Sequence, residues 1–159
     1  MLGFFKGKSK DNIIYSPCKG KVVPITEVSD PTFSEKVLGD GFAVIPSEGK
    51  IYAPADGEIS MVFDTLHAVT MTTSQGTELL IHIGLDTVTL KGEPFISHVS
   101  GGQQVKKGDL LLEADLEKIK SAGLDTITPV LICNTDGYNK INLIKEGEVS
   151  IDDEVLKIS

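Results

Sequence analysis

The sequence predicts an all-β domain: a mainly antiparallel sandwich or barrel with a duplicated hybrid motif and short helices. Three observations lead there. Short β-type runs alternate along the chain with Gly, Pro and Asp, the spacing of hairpins and not of βαβ units. Helical signals are scarce. One strand-turn-strand motif occurs twice, 37 residues apart (51 minus 14), as Ile14-Tyr15-Ser16-Pro17-Cys18-Lys19-Gly20-Lys21-Val22 and Ile51-Tyr52-Ala53-Pro54-Ala55-Asp56-Gly57-Glu58-Ile59. In each copy Pro sets a turn, Gly supplies a permissive backbone, and the aliphatic residue opens the next strand.

In chain order the expected strands cover residues 21–25, 41–46, 50–53, 57–62, 68–73, 78–83, 110–114, 129–133 and 148–151. One helix is expected over 116–122, with Asp115 as its N-cap and Gly123 closing it, and one further turn within 31–38. Residues 105–109 and 144–148 read as charged Gly turns between strands. The 159 residues, 40% hydrophobic and 24% charged, suit one folded core. The division expected is a flexible N-terminal segment over 1–12 and a single domain over 13–159.

Charge narrows the function classes. Twenty-three acidic residues face fifteen basic ones, all of them Lys, for a net charge of −8. An acidic chain without Arg is a poor nucleic-acid binder and suits a partner with a basic face. No apolar run reaches the roughly 18 residues of a membrane span. The N-terminus has Lys6, Lys8 and Lys10 behind Phe4 and Phe5, the reverse of a secretory signal, so a cytoplasmic location is expected with at most weak membrane-surface contact. Cys18 and Cys133 form neither a disulfide framework nor a zinc quartet.

Imidazole chemistry has three candidates, His67, His82 and His98. His98 precedes a Gly-Gly turn and reads as a loop or surface residue. The other two lie on adjacent expected strands joined by a Gly-containing turn. A loop of two or four residues puts them on one face, with Cβ atoms roughly 4.5–8 Å apart. A three-residue loop puts them on opposite faces. Paired imidazoles permit three readings: a nucleophilic His supported by its neighbour, half of a zinc site, or a cross-strand pair with no chemistry.

The surrounding residues separate these. Thr65-Leu66-His67-Ala68, followed by Leu80-Ile81-His82-Ile83-Gly84-Leu85-Asp86-Thr87-Val88-Thr89-Leu90-Lys91-Gly92, closely resembles the glucose-type enzyme IIA (EIIA) family of the bacterial phosphoenolpyruvate:sugar phosphotransferase system (PTS). The likeness extends through 33–41, 54–57, 105–109 and 128–130, and so covers nearly the whole chain from about Ile13. The resemblance implies a phosphocarrier in which His82 takes a phosphoryl group from the histidine phosphocarrier protein HPr and passes it to a cysteine of a IIB domain of a sugar permease. It implies that His67 stabilises the phosphoryl oxygens, that Thr65 supports the site by a hydrogen bond, and that Gly84 lets a partner approach. An apolar docking ring would comprise Phe33, Val37, Leu38 and Phe63, flanked by Asp30 and Asp86, which would meet basic groups of the donor. No cofactor and no metal are required, although His67 and His82 could give two ligands to an intermolecular zinc ion in a regulatory complex. Pro31, Thr32 and Leu66 depart from residues common at these positions. The short N-terminus suggests a free-standing protein, and a free docking face suggests a monomer.

Two rivals lack residues they need. A zinc hydrolase on a related β scaffold would want a second His two positions after His82, where Gly84 stands. A lipoyl- or biotin-carrier-like module would want a lysine between methionines in a tight turn, and no such triplet occurs.

Overall fold

The computed structural model of the chain describes residues 12–159. It contains strands β1 (Asn12–Tyr15), β2 (Gly20–Pro24), β3 (Asp40–Pro46), β4 (Lys50–Tyr52), β5 (Gly57–Val62), β6 (Ala68–Thr73) and β7 (Glu78–His82). These are followed by β8 (Phe95–Ser97), β9 (Gln104–Val105), β10 (Leu110–Ala114), β11 (Thr128–Ile132), β12 (Ile141–Leu143), β13 (Gly147–Val149) and β14 (Glu154–Ile158). The helices are short, α1 (Pro31–Ser34) and α2 (Leu116–Ser121). Most of the segment expected to be a flexible tail, with Phe4, Phe5 and its lysines, lies outside the described residues. Asn12, placed in that tail by the sequence, already pairs with Ile158.

An eight-stranded sheet in the order β13-β2-β3-β11-β7-β6-β5-β9 forms the frame, and every pairing given for it is antiparallel. Two three-stranded sheets, β1-β14-β12 and β4-β10-β8, complete the sandwich. Alternation along the central strands gives each face its own core. Phe42, Val44, Leu79, Ile81, Val130 and Ile132 join Ile14, Ile51, Leu111 and Leu156 of the smaller sheets in the main cluster. Ala43, Leu80 and Leu131, from the intervening positions, build a second cluster with Ile25, Val28, Phe33, Leu85 and Ile127. Strands buried on both faces read as nearly continuous apolar runs, which is why residues 79–83 and 128–132 look alike in sequence.

The duplicated motif is a physical pair. The Tyr15 N–H donates to the Pro54 carbonyl at 3.0 Å and the Tyr52 N–H donates to the Pro17 carbonyl at 2.7 Å, so each copy bonds the equivalent carbonyl of the other. Ile14 and Ile51 are both fully buried beneath this exchange. The copies then open β2 and β5, which occupy mirrored places in the large sheet, each one strand in from an edge. Gly20 and Gly57 begin those strands because no side chain fits there. A Cβ on Gly20 would strike the Ile45 carbonyl oxygen of β3, and one on Gly57 the Thr72 carbonyl oxygen of β6.

The helix ends follow their caps. Asp115 accepts from the Lys118 N–H at 3.1 Å, and Gly123 leaves α2 at φ +80°. Asp30 accepts from the Thr32 N–H at 3.0 Å, with Pro31 in the first turn of α1. The turn expected within 31–38 is shorter than that span, since Lys36 is left-handed at φ +60°. Five strands were not foreseen: β1, β8, β9, β12 and β14.

Replacing Gly57 by Ala should lower the unfolding free energy by about 1–3 kcal/mol, the usual range for overpacking. Gly76, whose added Cβ would meet nothing within 4 Å, is the control for space, although its left-handed φ of +89° carries a conformational cost of its own. Chemical denaturation of the two variants checks this, and equal loss in both would mean that the close approach of β6 at Gly57 is unimportant.

Candidate functional site

Both site histidines sit above the second core cluster, and they arrive there by different routes. His82 ends β7, out of phase with Leu79 and Ile81 and in phase with Leu80, so its ring stands on the face of the smaller cluster. β6 pairs with β7 from Thr72 opposite Glu78 to Ala68 opposite His82, and the Thr73 N–H reaches the Thr77 carbonyl at 2.8 Å. The connection is therefore three residues, Ser74, Gln75 and Gly76, with Gly76 at φ +89°. Of the loop lengths weighed from the sequence, this is the three-residue case. In strict alternation it would part the histidines, because His67 would then point with Ile83 into the main core.

They meet because His67 is not a strand residue. The Phe63 N–H donates to the Ala68 carbonyl at 3.0 Å and the Leu66 N–H to the Phe63 carbonyl at 2.7 Å, which makes Asp64, Thr65, Leu66 and His67 the loop between β5 and β6. Leu66 is left-handed at φ +59°, and strand alternation does not govern the residue that follows. The rings of His67 and His82 lie edge to face with centroids 5.0 Å apart. Two phenyl rings extend the stack: Phe33 lies 5.1 Å from His82 and Phe63 lies 5.4 Å from His67.

Hydrogen bonds set the protons. His82 Nδ1 lies 2.7 Å from the Gly84 carbonyl oxygen. A carbonyl only accepts, so in neutral His82 the proton is on Nδ1 and Nε2 carries the lone pair. His67 Nδ1 lies 2.6 Å from the Thr65 hydroxyl. A hydroxyl can donate as well as accept, so this contact is compatible with a Thr65 donor and a proton on Nε2 of His67. One ring can then act as a nucleophile while its neighbour donates a hydrogen bond.

The surroundings favour the neutral form of both rings. His67 is buried, and burial followed by repulsion from His82 lowers its pKa from 6.5 to about 4. His82 is also lowered by burial, against which the Gly84 hydrogen bond, then Asp30, then Asp86 act. These two carboxylates are thus close enough to bias His82. Asp30 caps α1, while Asp86 is exposed and left-handed at φ +60°.

The other sequence candidates separate into exposed and internal residues. Val37 and Leu38 are exposed, at 69% and 44%, and Phe63 is half-buried. Phe33 is corrected from a docking residue to a support, since it is buried and backs the His82 ring. Gly84 is required for internal reasons: its φ is +78°, and a Cβ there would lie 2.6 Å from Thr87 Cγ2 and 2.9 Å from the Asp125 carbonyl oxygen. It is buried, so close approach by a partner is not what excludes a side chain. His98 is exposed and pairs with Glu113 at 2.6 Å. Among the described residues no group of three His, Cys, Asp or Glu could hold a metal ion, so His67 and His82 form at most part of a ligand set. Val88, 48% exposed and within the motif after His82, was not singled out by sequence reasoning.

Proteins of known family share this fold and much of this sequence. Residues 12–138 match the model of the phosphoenolpyruvate-dependent sugar phosphotransferase system, EIIA 1. A glucose-specific EIIA component of Oceanobacillus iheyensis is 41% identical over 94% of this chain and 91% of its own length. One from Halalkalibacterium halodurans is 50% identical over 80% and 73%. Glucose permease IIA from Mycoplasma capricolum superposes with a TM-score of 0.89 at 36% identity, covering 96% of this chain and 99% of that one. Against longer relatives the chain is one part: it spans 24% of the beta-glucoside-specific EIIBCA component of Bacillus subtilis, at 46% identity. The chain belongs to the EIIA 1 family of the phosphoenolpyruvate-dependent sugar phosphotransferase system.

The lowered pKa of His67 makes a signed prediction. Between pH 6.5 and about 4 the unfolded chain binds a proton at His67 and the folded chain does not, so stability is lost as pH falls through this window. His67→Gln should reduce the drop in unfolding free energy between pH 7 and pH 4.5 by about 2–3 kcal/mol. Urea titrations at the two pH values check this, and identical drops in variant and wild type would mean that His67 ionises normally.

Proposed function

We propose that this chain is a phosphoryl carrier that accepts phosphate from phospho-HPr on Nε2 of His82 and donates it to a cysteine of a IIB domain. The observation that carries this reading is the bond between His82 Nδ1 and the Gly84 carbonyl, which leaves Nε2 as the free nucleophilic atom of a neutral ring. In the first step a bond forms from that nitrogen to phosphorus while the bond from phosphorus to the donor's histidine breaks. In the second the cysteine thiolate takes the phosphoryl group and Nε2 recovers its lone pair.

His67 acts on the group in flight. With Thr65 donating to its Nδ1, it presents an N–H to the phosphoryl oxygens, a task that requires positioning and charge complementarity more than covalent chemistry. Its low pKa holds it as a neutral donor, so it does not pair with the phosphate so strongly that onward transfer stalls. The half-buried His82 is open to a partner, Asp30 and Asp86 would meet that partner's basic groups, and the exposed Val37, Leu38 and Val88 would offer it apolar contact. Relatives named EIIBCA and EIICBA, in which an EIIA part shares a chain with B and C parts, support a IIB acceptor. The chain would carry out this transfer in the cytoplasm, as a monomer with a free docking face. A zinc-dependent hydrolase and a carrier of a swinging cofactor are not supported by any residue cluster of the site.

Incubation with phosphoenolpyruvate, enzyme I and HPr should add one acid-labile phosphoryl group to the wild type and none to His82→Ala, as read by intact mass. His67→Ala should accept the group yet fail to pass it to a IIB acceptor. Thr65→Val, which removes the hydroxyl beside His67, should slow transfer to IIB by about tenfold, the cost of one lost charge-positioning hydrogen bond. An unmodified wild type alongside a phosphorylated EIIA control would overturn the carrier reading.

A further inference from the structure

The Gly84 carbonyl holds the His82 proton, yet glycine is the residue least able to hold its own peptide planes still. Two successive planes meet at Gly84, and each is pinned by a group outside the loop's own backbone path. The second plane joins the Gly84 carbonyl to the Leu85 N–H, and that N–H donates to the Asp125 carbonyl at 3.0 Å. The Gly84 oxygen therefore faces the other way, towards His82 Nδ1. The first plane joins the Ile83 carbonyl to the Gly84 N–H, and its oxygen accepts from the Thr87 hydroxyl at 2.6 Å. Thr87 is fully buried, and its methyl carbon fills the space where a Gly84 side chain would project.

We infer that Thr87 is a positioning residue for the phosphorylation site: its buried hydroxyl locks the backbone at Gly84 so that the glycine carbonyl selects the Nδ1–H tautomer of His82. The same stretch is tied to the supporting histidine, because the Ile83 N–H donates to the His67 carbonyl at 2.7 Å. A shift of the plane that follows would disturb both rings. Loss of the hydroxyl frees the Ile83 oxygen, lets the glycine turn relax, and allows the His82 proton to move to Nε2, where it blocks the nucleophile. Asp125 acts on the same unit through its main chain, which no side-chain substitution removes.

The inference rests on the carrier reading for its kinetic arm alone. Nitrogen-15 spectra of histidine-labelled protein read the tautomer directly, with no phosphate donor present. Wild type and Thr87→Ser should show a single Nδ1–H form of neutral His82, and Thr87→Val a mixture that includes Nε2–H. Initial phosphorylation by phospho-HPr should fall by about tenfold in Thr87→Val and be largely restored in Thr87→Ser. If Thr87→Val does not fold, Thr87→Ala is read in the same two ways. A Val or Ala variant with the wild-type tautomer and a rate within about twofold of wild type overturns the inference. A wild type that shows the Nδ1–H tautomer but takes no phosphate would instead overturn the carrier reading and leave the positioning role standing.

Discussion

One hydrogen bond, from His82 Nδ1–H to the Gly84 carbonyl, is the constraint on which the site depends. An imidazole free to exchange tautomers presents its lone pair at either nitrogen, and burial alone does not decide which. Here the acceptor is a carbonyl that lies two residues along the chain and within the turn that leaves β7. The proton is therefore committed by backbone geometry, and the reactive nitrogen is committed by what remains. The positive φ of Gly84, the left-handed Asp86, and the crowding of Gly84 by Thr87 and Asp125 are consequences of bending the chain tightly enough to bring that carbonyl back beneath the ring.

A second constraint works against the first. A nucleophilic histidine must be neutral, and burial over an apolar cluster keeps it so, yet a ring sealed in a core could not reach another protein. The structure divides the two requirements between the histidines. His67 is buried against Phe63 and its pKa falls to about 4, whereas His82 is half-buried and has two carboxylates acting on it. Repulsion between the rings adds to the effect, since one protonated imidazole disfavours the other. Phe33 takes the side of His82 that faces the cluster, so only the remaining side is left for a partner.

Much of this was legible in the sequence where the signal was local. Six of the expected strands overlap central strands of the large sheet, the cap of α2 lies at Asp115, and the doubled Ile-Tyr-x-Pro-x-x-Gly motif marks two structurally equivalent corners. The unforeseen strands are mostly of two or three residues or lie near the chain ends, where pairing with a distant strand and not local pattern creates them; β14, between β1 and β12, is the longest. The site's geometry was harder to read. Counting loop residues between Thr73 and Thr77 assumes that both histidines obey strand alternation, and His67, set by the preceding turn, does not. The burial of Phe33 and the internal need for Gly84 depend on α1 and on Asp125, elements far apart in sequence from His82. Thr87 stood in the motif that carried the family resemblance, but nothing local reveals that its hydroxyl turns back to the Ile83 carbonyl.

The duplicated scaffold explains why the site can be both rigid and exposed. The two motif copies bond each other's Pro carbonyls and send β2 and β5 to mirrored positions in one sheet, which leaves β11 and β7 as the central pair. Val130, Leu131 and Ile132 face Ile81, Leu80 and Leu79 there, and most of these side chains are fully buried. His82 follows immediately at the end of β7. It thus extends from the best-buttressed strand of the domain while the chain beyond it turns away, so that its backbone inherits the order of the core and its ring reaches the surface. A loop-borne histidine would have access without that order. A mid-strand histidine would have the order without access, and only the terminus of a central strand provides both.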